Sequence, residues 1–179
     1  MNMNTKIFEC SYHQSLKLKG LDETICKYAE TSLLDLVHEK LKDKEQFVDD
    51  ILIKYGELAL REETHFIFVT NEQDEVVGLC VYVMDYYEHA LAKNAHIDCL
   101  FLDKEYRKQG NGTAFMKFIF ENAKKNGASL CFVSANAGSK TNRVNSNDYN
   151  RADLTKGNAS TGTIGKGQLE DLQDDEDWY

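Results

Sequence analysis

Nothing in this 179-residue chain approaches the roughly 20 consecutive apolar residues that a membrane-spanning helix needs. The richest stretch, 76–87, is short and contains Gly78 and Asp85, so no membrane partner is expected. The opening residues MNMNTKIFEC lack the apolar segment and cleavage site of an export signal, which points to a cytoplasmic location. There is no Cys-x-x-Cys and no His/Cys pair at ligand spacing. The five cysteines (Cys10, Cys26, Cys80, Cys99 and Cys131) are odd in number, far apart and set among apolar neighbours. They read as reduced core thiols rather than a disulfide framework or a zinc site, and no metal is expected. Basic stripes are missing too. The formal charge is −9, and six acidic residues crowd into the last ten positions, leaving a mildly acidic body. A polyphosphate backbone finds no counterpart there, which argues against nucleic acid.

What is present suits a compact domain with an appendage. Hydrophobic residues make up 42% of the chain and aromatics 11%, enough for a real core. Residues 6–12 (KIFECSY) read as a first strand. Apolar residues at helical spacing follow over 22–41 (Ile25, Tyr28, Ala29, Leu33, Leu36, Val37, Leu41), then again in Phe47, Ile51, Leu52, Tyr55, Leu58 and Ala59, predicting two amphipathic helices. Segments 65–70 (HFIFVT) and 76–84 (VVGLCVYVM) flank the polar residues NEQDE and predict a β-hairpin. A fourth strand is expected over 95–102 (AHIDCLFL) and a helix over 110–125, with Phe115, Met116, Ile119, Phe120 and Ala123 on one face. Gly127 is placed to end that helix in a left-handed cap, before a fifth strand over 129–133. The order is α/β, with a mixed sheet whose last three elements form a parallel βαβ unit.

The turn between the fourth strand and its helix carries the chemistry. Arg107-x-x-Gly110-x-Gly112 opens a helix directly after a strand. Glycines there let backbone N–H groups approach an anion, and the helix N-terminus adds about half a positive charge. A pyrophosphate is the natural guest, with Arg107, Lys108 and the Thr113 hydroxyl able to assist. A Rossmann site would need three glycines and a distant acid, neither of which is evident. The Gly162–Gly167 region lacks Walker spacing, and the flexible-linker reading stands.

These residues resemble the GNAT family of acyl-CoA-dependent N-acetyltransferases, whose R/Q-x-x-G-x-G/A signature is matched by Arg107, Gly110 and Gly112. The element order over 6–136 resembles the family as well. The resemblance implies a GNAT-like mixed sheet with flanking helices and acetyl-CoA as co-substrate. The amides of Gln109, Gly110, Asn111, Gly112 and Thr113 would meet its pyrophosphate, and the backbone of Phe101 and Leu102 its pantetheine arm. Asn136 would touch it after the fifth strand.

Acetyl transfer to an amine needs a proton acceptor, and the fourth strand offers Asp98 and His96. Simple alternation puts Asp98 on one face with Leu100 and Leu102, and His96 one step further out on that face. Glu88 and His89 are loop alternatives. The acidic body favours a cationic acceptor such as a polyamine, an aminoglycoside or a lysine-bearing peptide.

From residue 137 the resemblance ends. The family's later helix, with its tyrosine, and its final strands find no match, and residues 137–179 read as a polar low-complexity arm ending in an acidic-aromatic run. Two domains are therefore expected, an acyl-CoA-binding unit over 1–136 and the arm over 137–179. Without the later strands the fifth strand is an open edge that the arm, a second copy or another protein must cover. A second reading follows: a GNAT-fold component of a larger assembly such as a phage virion, with catalysis reduced or lost.

Overall fold

The computed structural model describes residues 4–87, 92–134, 149–153, 160–163 and 166–168, the last three segments as backbone. Strand β1 (Lys6–Cys10) leads through a four-residue helix α1 (Tyr12–Ser15) into α2 (Leu21–Glu30), α3 (Asp35–Lys40) and α4 (Lys44–Arg61). Strands β2 (Thr64–Thr70), β3 (Val76–Tyr87) and β4 (Ala92–Leu102) follow, then a single 3₁₀ turn at Lys104–Tyr106, helix α5 (Asn111–Lys125) and β5 (Leu130–Ser134). Three short strands follow among the described residues: β6 (Tyr149–Asp153), β7 (Ser160–Thr163) and β8 (Lys166–Gln168). All eight lie in one sheet in sequence order, with β4 and β5 parallel and every other pair antiparallel.

Two cores sandwich the sheet. On one face α5 seats Phe115, Met116, Ile119, Phe120 and Ala123 against Ile67, Tyr82, Ile97, Leu100 and Leu102. On the other, α2 and α4 bring Leu21, Ile25, Phe47, Val48 and Tyr55 onto Phe66, Phe68, Leu79, Val81 and Cys99. Full burial of each large apolar side chain contributes about 1.5–3 kcal/mol, and this double cover is what fixes the height and tilt of β4. Helix α5 ends as its sequence dictates. Gly127 sits at φ +95°, its N–H bonds Lys124 O at 2.9 Å, and the Ala128 N–H bonds Ala123 O at 3.0 Å. This is the paired-bond left-handed cap.

Two expectations change. The helix predicted over 22–41 breaks at residues 31–34. There the Thr31 hydroxyl bonds Tyr28 O at 2.6 Å and the Ser32 hydroxyl accepts the Leu34 N–H at 3.2 Å. These side-chain bonds compete with the helical ladder and split the segment into α2 and α3. The arm is the second: it supplies β6, β7 and β8, the last two overlapping the region read as a flexible linker. Of the covers open to the fifth-strand edge it is the arm that lies there, β6 pairing with β5 antiparallel from Leu130↔Asp153 to Ser134↔Tyr149.

Candidate functional site

Strand β4 carries an irregularity that alternation does not show. Its ladder with β3 runs Val81↔Cys99 and then Tyr82↔Ile97, which leaves Asp98 as an extra residue, a β-bulge. The bulge resets the alternation. Ile97, Leu100 and Leu102 join the α5-side core, whereas Cys99 joins the α2/α4-side core, and Asp98 lines a pocket with Tyr28, Phe47 and Tyr55. Asp98 therefore faces α2 and α4, opposite Leu100 and Leu102 rather than beside them. His96 shares a pocket with Asp98, as the alternation predicted for that pair.

At the same residue β4 and β5 part. Their parallel pairing covers Asn94↔Leu130 to Ile97↔Val133 and goes no further. Among the described residues, the β5-side edge of β4 from Asp98 to Leu102 has no backbone partner. Such an edge accepts an extended, amide-bearing ligand as if it were another strand.

The loop after β4 is held in place by its own side chains. The Asp103 N–H bonds Val77 O at 2.8 Å, and the Asp103 carboxylate caps the 3₁₀ turn through the Glu105 N–H and takes the Lys27 ammonium of α2 at 2.6 Å. Burial pushes the Asp103 carboxyl up, but the Lys27 and Glu105 contacts outweigh it and hold the group below its ordinary value. Arg107 turns back: its Nε donates to Leu102 O at 2.7 Å and its guanidinium lies over the Phe101 ring at 5.8 Å. Asn111 donates to Tyr106 O at 3.0 Å and accepts the Thr5 hydroxyl at 3.1 Å, which pins the start of α5 to the chain before β1.

Lys108 at φ +61° and Gly110 at φ +80° are both left-handed, a pairing that sweeps the chain into α5. The first-turn N–H groups of a helix have no intrahelical acceptor, so Asn111, Gly112 and Thr113 present donors at the helix mouth. A buried hydroxyl without a partner, Thr113 Oγ1, sits at the same turn. A phosphate oxygen would satisfy it, and the donor set thus suits a phosphorylated ligand. Asn136 lies outside the described residues, as do Glu88 and His89.

On the α2/α4 side, two pockets meet at Asp98. One, of about 360 Å³, is lined by Ile25, Tyr28, Val37, Phe47, Tyr55 and Leu79 among others. The other, of about 430 Å³, is lined by Leu58, Glu62, Val83, Asp85, His96 and Ile97. Burial first, with Cys99 and the Asp98 carboxylate alongside, pushes the phenols of Tyr28 and Tyr55 far above the ordinary tyrosine range, so both stay neutral. The helical spacing of Tyr28 and Tyr55 marked them as core; their hydroxyl ends and the acids Glu62 and Asp85 had no sequence signal tying them to β4. Among the described residues, no group of three His, Cys, Asp or Glu could hold a metal ion.

A strand that bulges where it parts from its parallel neighbour, followed by a glycine turn into a helix, defines a mixed-sheet α/β domain with an open strand edge beside a helix mouth. The chain belongs to the acetyltransferase (GNAT) family, whose model matches residues 29–141. No curated protein matches it. Similar solved structures include an aminoglycoside acetyltransferase from an uncultured soil metagenomic sample (16% identity, TM-score 0.54, covering 76% of this chain and 82% of that one). Another is the ribosomal-protein-alanine N-acetyltransferase of Brucella melitensis biovar Abortus 2308 (10%, 0.55, 79% and 86%). A third is a transcriptional regulator from Bacillus halodurans C-125 (16%, 0.59, 79% and 87%). At these identities the likeness concerns the fold.

Proposed function

We propose that this protein is an acetyl-CoA-dependent N-acetyltransferase that passes the acetyl group directly to a primary amine. The observation that carries the reading is the coincidence at Asp98: the β4 edge opens toward one ligand at the residue where two pockets open toward another. On this reading the β4 edge at Phe101 and Leu102, where Arg107 Nε already holds the Leu102 carbonyl, receives the pantetheine arm. The N–H groups of Gln109 to Thr113, with the Thr113 hydroxyl and the charges of Arg107 and Lys108, hold the pyrophosphate. Residues 1–136 then form the donor-binding domain, and 137–179 an appendage. The edge cover that β6 provides removes the observation behind an assembly-component role.

Acetyl-CoA supplies an activated acyl thioester. In the reaction the amine C–N bond forms, the C–S bond breaks, and an alkylammonium gives up two protons, one to the departing thiolate and one to solvent. Asp98, with His96 beside it in the polar pocket, is placed to take the first proton and pass it outward. The neutral phenols of Tyr28 and Tyr55 lie against the Cys99 thiol and wall the pocket beside Asp98.

Calorimetric titration with acetyl-CoA tests the donor half. Micromolar binding is expected, and Gly112→Asp is expected to abolish it by placing bulk and negative charge at the helix mouth. Failure of the unaltered protein to bind, or unchanged affinity in the variant, refutes the assignment.

A further inference from the structure

We infer that the acceptor is a primary amine carried on an aromatic body, an aralkylamine, seated in the pocket between α2, α4 and the sheet. The inference rests on the transferase reading above and narrows its substrate class.

The pocket's lining selects its guest. Three aromatic rings, Tyr28, Phe47 and Tyr55, and the aliphatic side chains of Ile25, Val37 and Leu79 form its walls. Flat apolar bodies pack on such rings in offset or edge-on geometry, with a gain beyond area burial alone. Apart from Asp98, its polar lining atoms are largely spoken for, the Tyr28 and Tyr55 hydroxyls by the Cys99 thiol. The Thr31 hydroxyl is turned to Tyr28 O and the Ser32 hydroxyl to the Leu34 N–H, while Lys54 lies at the exposed surface. A polyhydroxylated aminoglycoside would bury hydroxyls here without partners, and that loss is expensive. A linear polyamine would place its second ammonium among Ile25, Val37 and Leu79, which is worse. An aromatic body meets neither penalty.

Size and charge agree. At about 360 Å³ the pocket lies at the small end of the roughly 300–1,000 Å³ typical of small-molecule sites. Asp98 is the one carboxylate in its lining, and it sits where β4 and β5 part. An aralkylamine with its ring between Tyr28, Phe47 and Tyr55 therefore extends its ammonium to Asp98, next to the edge assigned to the donor. The adjoining pocket, with Glu62, Asp85 and His96, gives the released proton a polar route out.

The test uses the full chain with acetyl-CoA and three acceptors, 2-phenylethylamine, spermidine and kanamycin, with products followed by mass spectrometry. We expect kcat/KM for 2-phenylethylamine to exceed both others by at least about tenfold, the scale on which apolar pockets discriminate. Equal or reversed preference, or no acetylation of the aromatic amine, overturns the inference. Leu34→Trp supplies a second readout. Leu34 lines the pocket yet is 66% exposed, so the larger side chain fills the mouth without entering the core. The KM for 2-phenylethylamine should rise about tenfold with acetyl-CoA affinity unchanged. An unchanged KM overturns the assignment of this pocket. Absence of acetyl-CoA binding in the unaltered protein would strike the transferase reading itself, whereas binding with the aromatic amine ignored strikes only the acceptor class.

Discussion

Asp98 separates chemistry from stability more cleanly than any other residue in the site. It is solvent-exposed and carries no part of the core, so Asp98→Asn should melt within about 1 °C of the parent. If it takes the ammonium proton, kcat should fall by about 10²- to 10⁴-fold, with the loss smallest at high pH, where the amine is already neutral. A steady-state pH profile checks both statements, and an unchanged kcat would remove Asp98 from the mechanism. The cysteines give a second residue-scale expectation. Burial pushes the thiols of Cys99 and Cys131 up to about 12, so at pH 8 both are protonated and shielded. Iodoacetamide on the folded protein should label Cys10, the one thiol outside the buried set, and spare Cys80, Cys99 and Cys131 until denaturant is added. Peptide mapping reads this directly.

The elements around the site respond to pH through the Lys27–Asp103 contact between α2 and the loop before α5. Asp103 has its carboxyl held below 3.8, so its contribution is present above that value and lost as pH falls through the lowered one. Lys27 is raised above 10.5 by its bond to Asp103, against the effect of burial, so its contribution is present below 10.5 and lost as pH rises through the raised value. The contact thus holds across the neutral range. Because the Lys27 side chain is half exposed, Lys27→Met should cost no more than about 1 kcal/mol at pH 7. The difference should shrink in melts taken to acid pH, as the pH falls through the lowered Asp103 value. Gly127→Ala tests the end of α5: a Cβ at φ +95° costs about 1–2 kcal/mol in backbone strain and should lower Tm by several degrees. Helix α5 was legible from the sequence because its apolar stripe, opening glycines and closing Gly127 all agree. The division of α2 from α3 was not, since apolar spacing across Thr31 and Ser32 continues unbroken while their hydroxyls capture the backbone.

For the molecule as a whole, the mixed sheet with its parallel βαβ unit followed from element order, and the apolar faces of the flanking helices from their hydrophobic period. The later strands did not. Segment 149–168 is mostly polar, with Leu154 and Ile164 its large aliphatic residues, and its pairing with β5 depends on a partner edge that no local pattern reveals. Deleting residues 137–179 should leave β5 an uncovered edge, lowering Tm and producing dimers or larger species in size-exclusion chromatography. A monomer of unchanged stability would show that β6 is dispensable. The pockets escaped detection for a related reason. They join α2, α4 and β4, elements up to 70 residues apart in the chain, and only the folded sheet brings Tyr28, Tyr55 and Asp98 together.

The extra residue in β4 also bears on how this gene can change. Losing the codon for Asp98 would remove the carboxylate and the bulge together: Val81↔Cys99 and Tyr82↔Ile97 would become consecutive pairs of a regular ladder. Ile97 and Cys99 already face opposite sides, so Ala95, Ile97, Leu100 and Leu102 would keep their places in the α5-side core. A point substitution at this position tunes the site, whereas an in-frame deletion keeps both cores and removes the bulge that lies where β4 and β5 part.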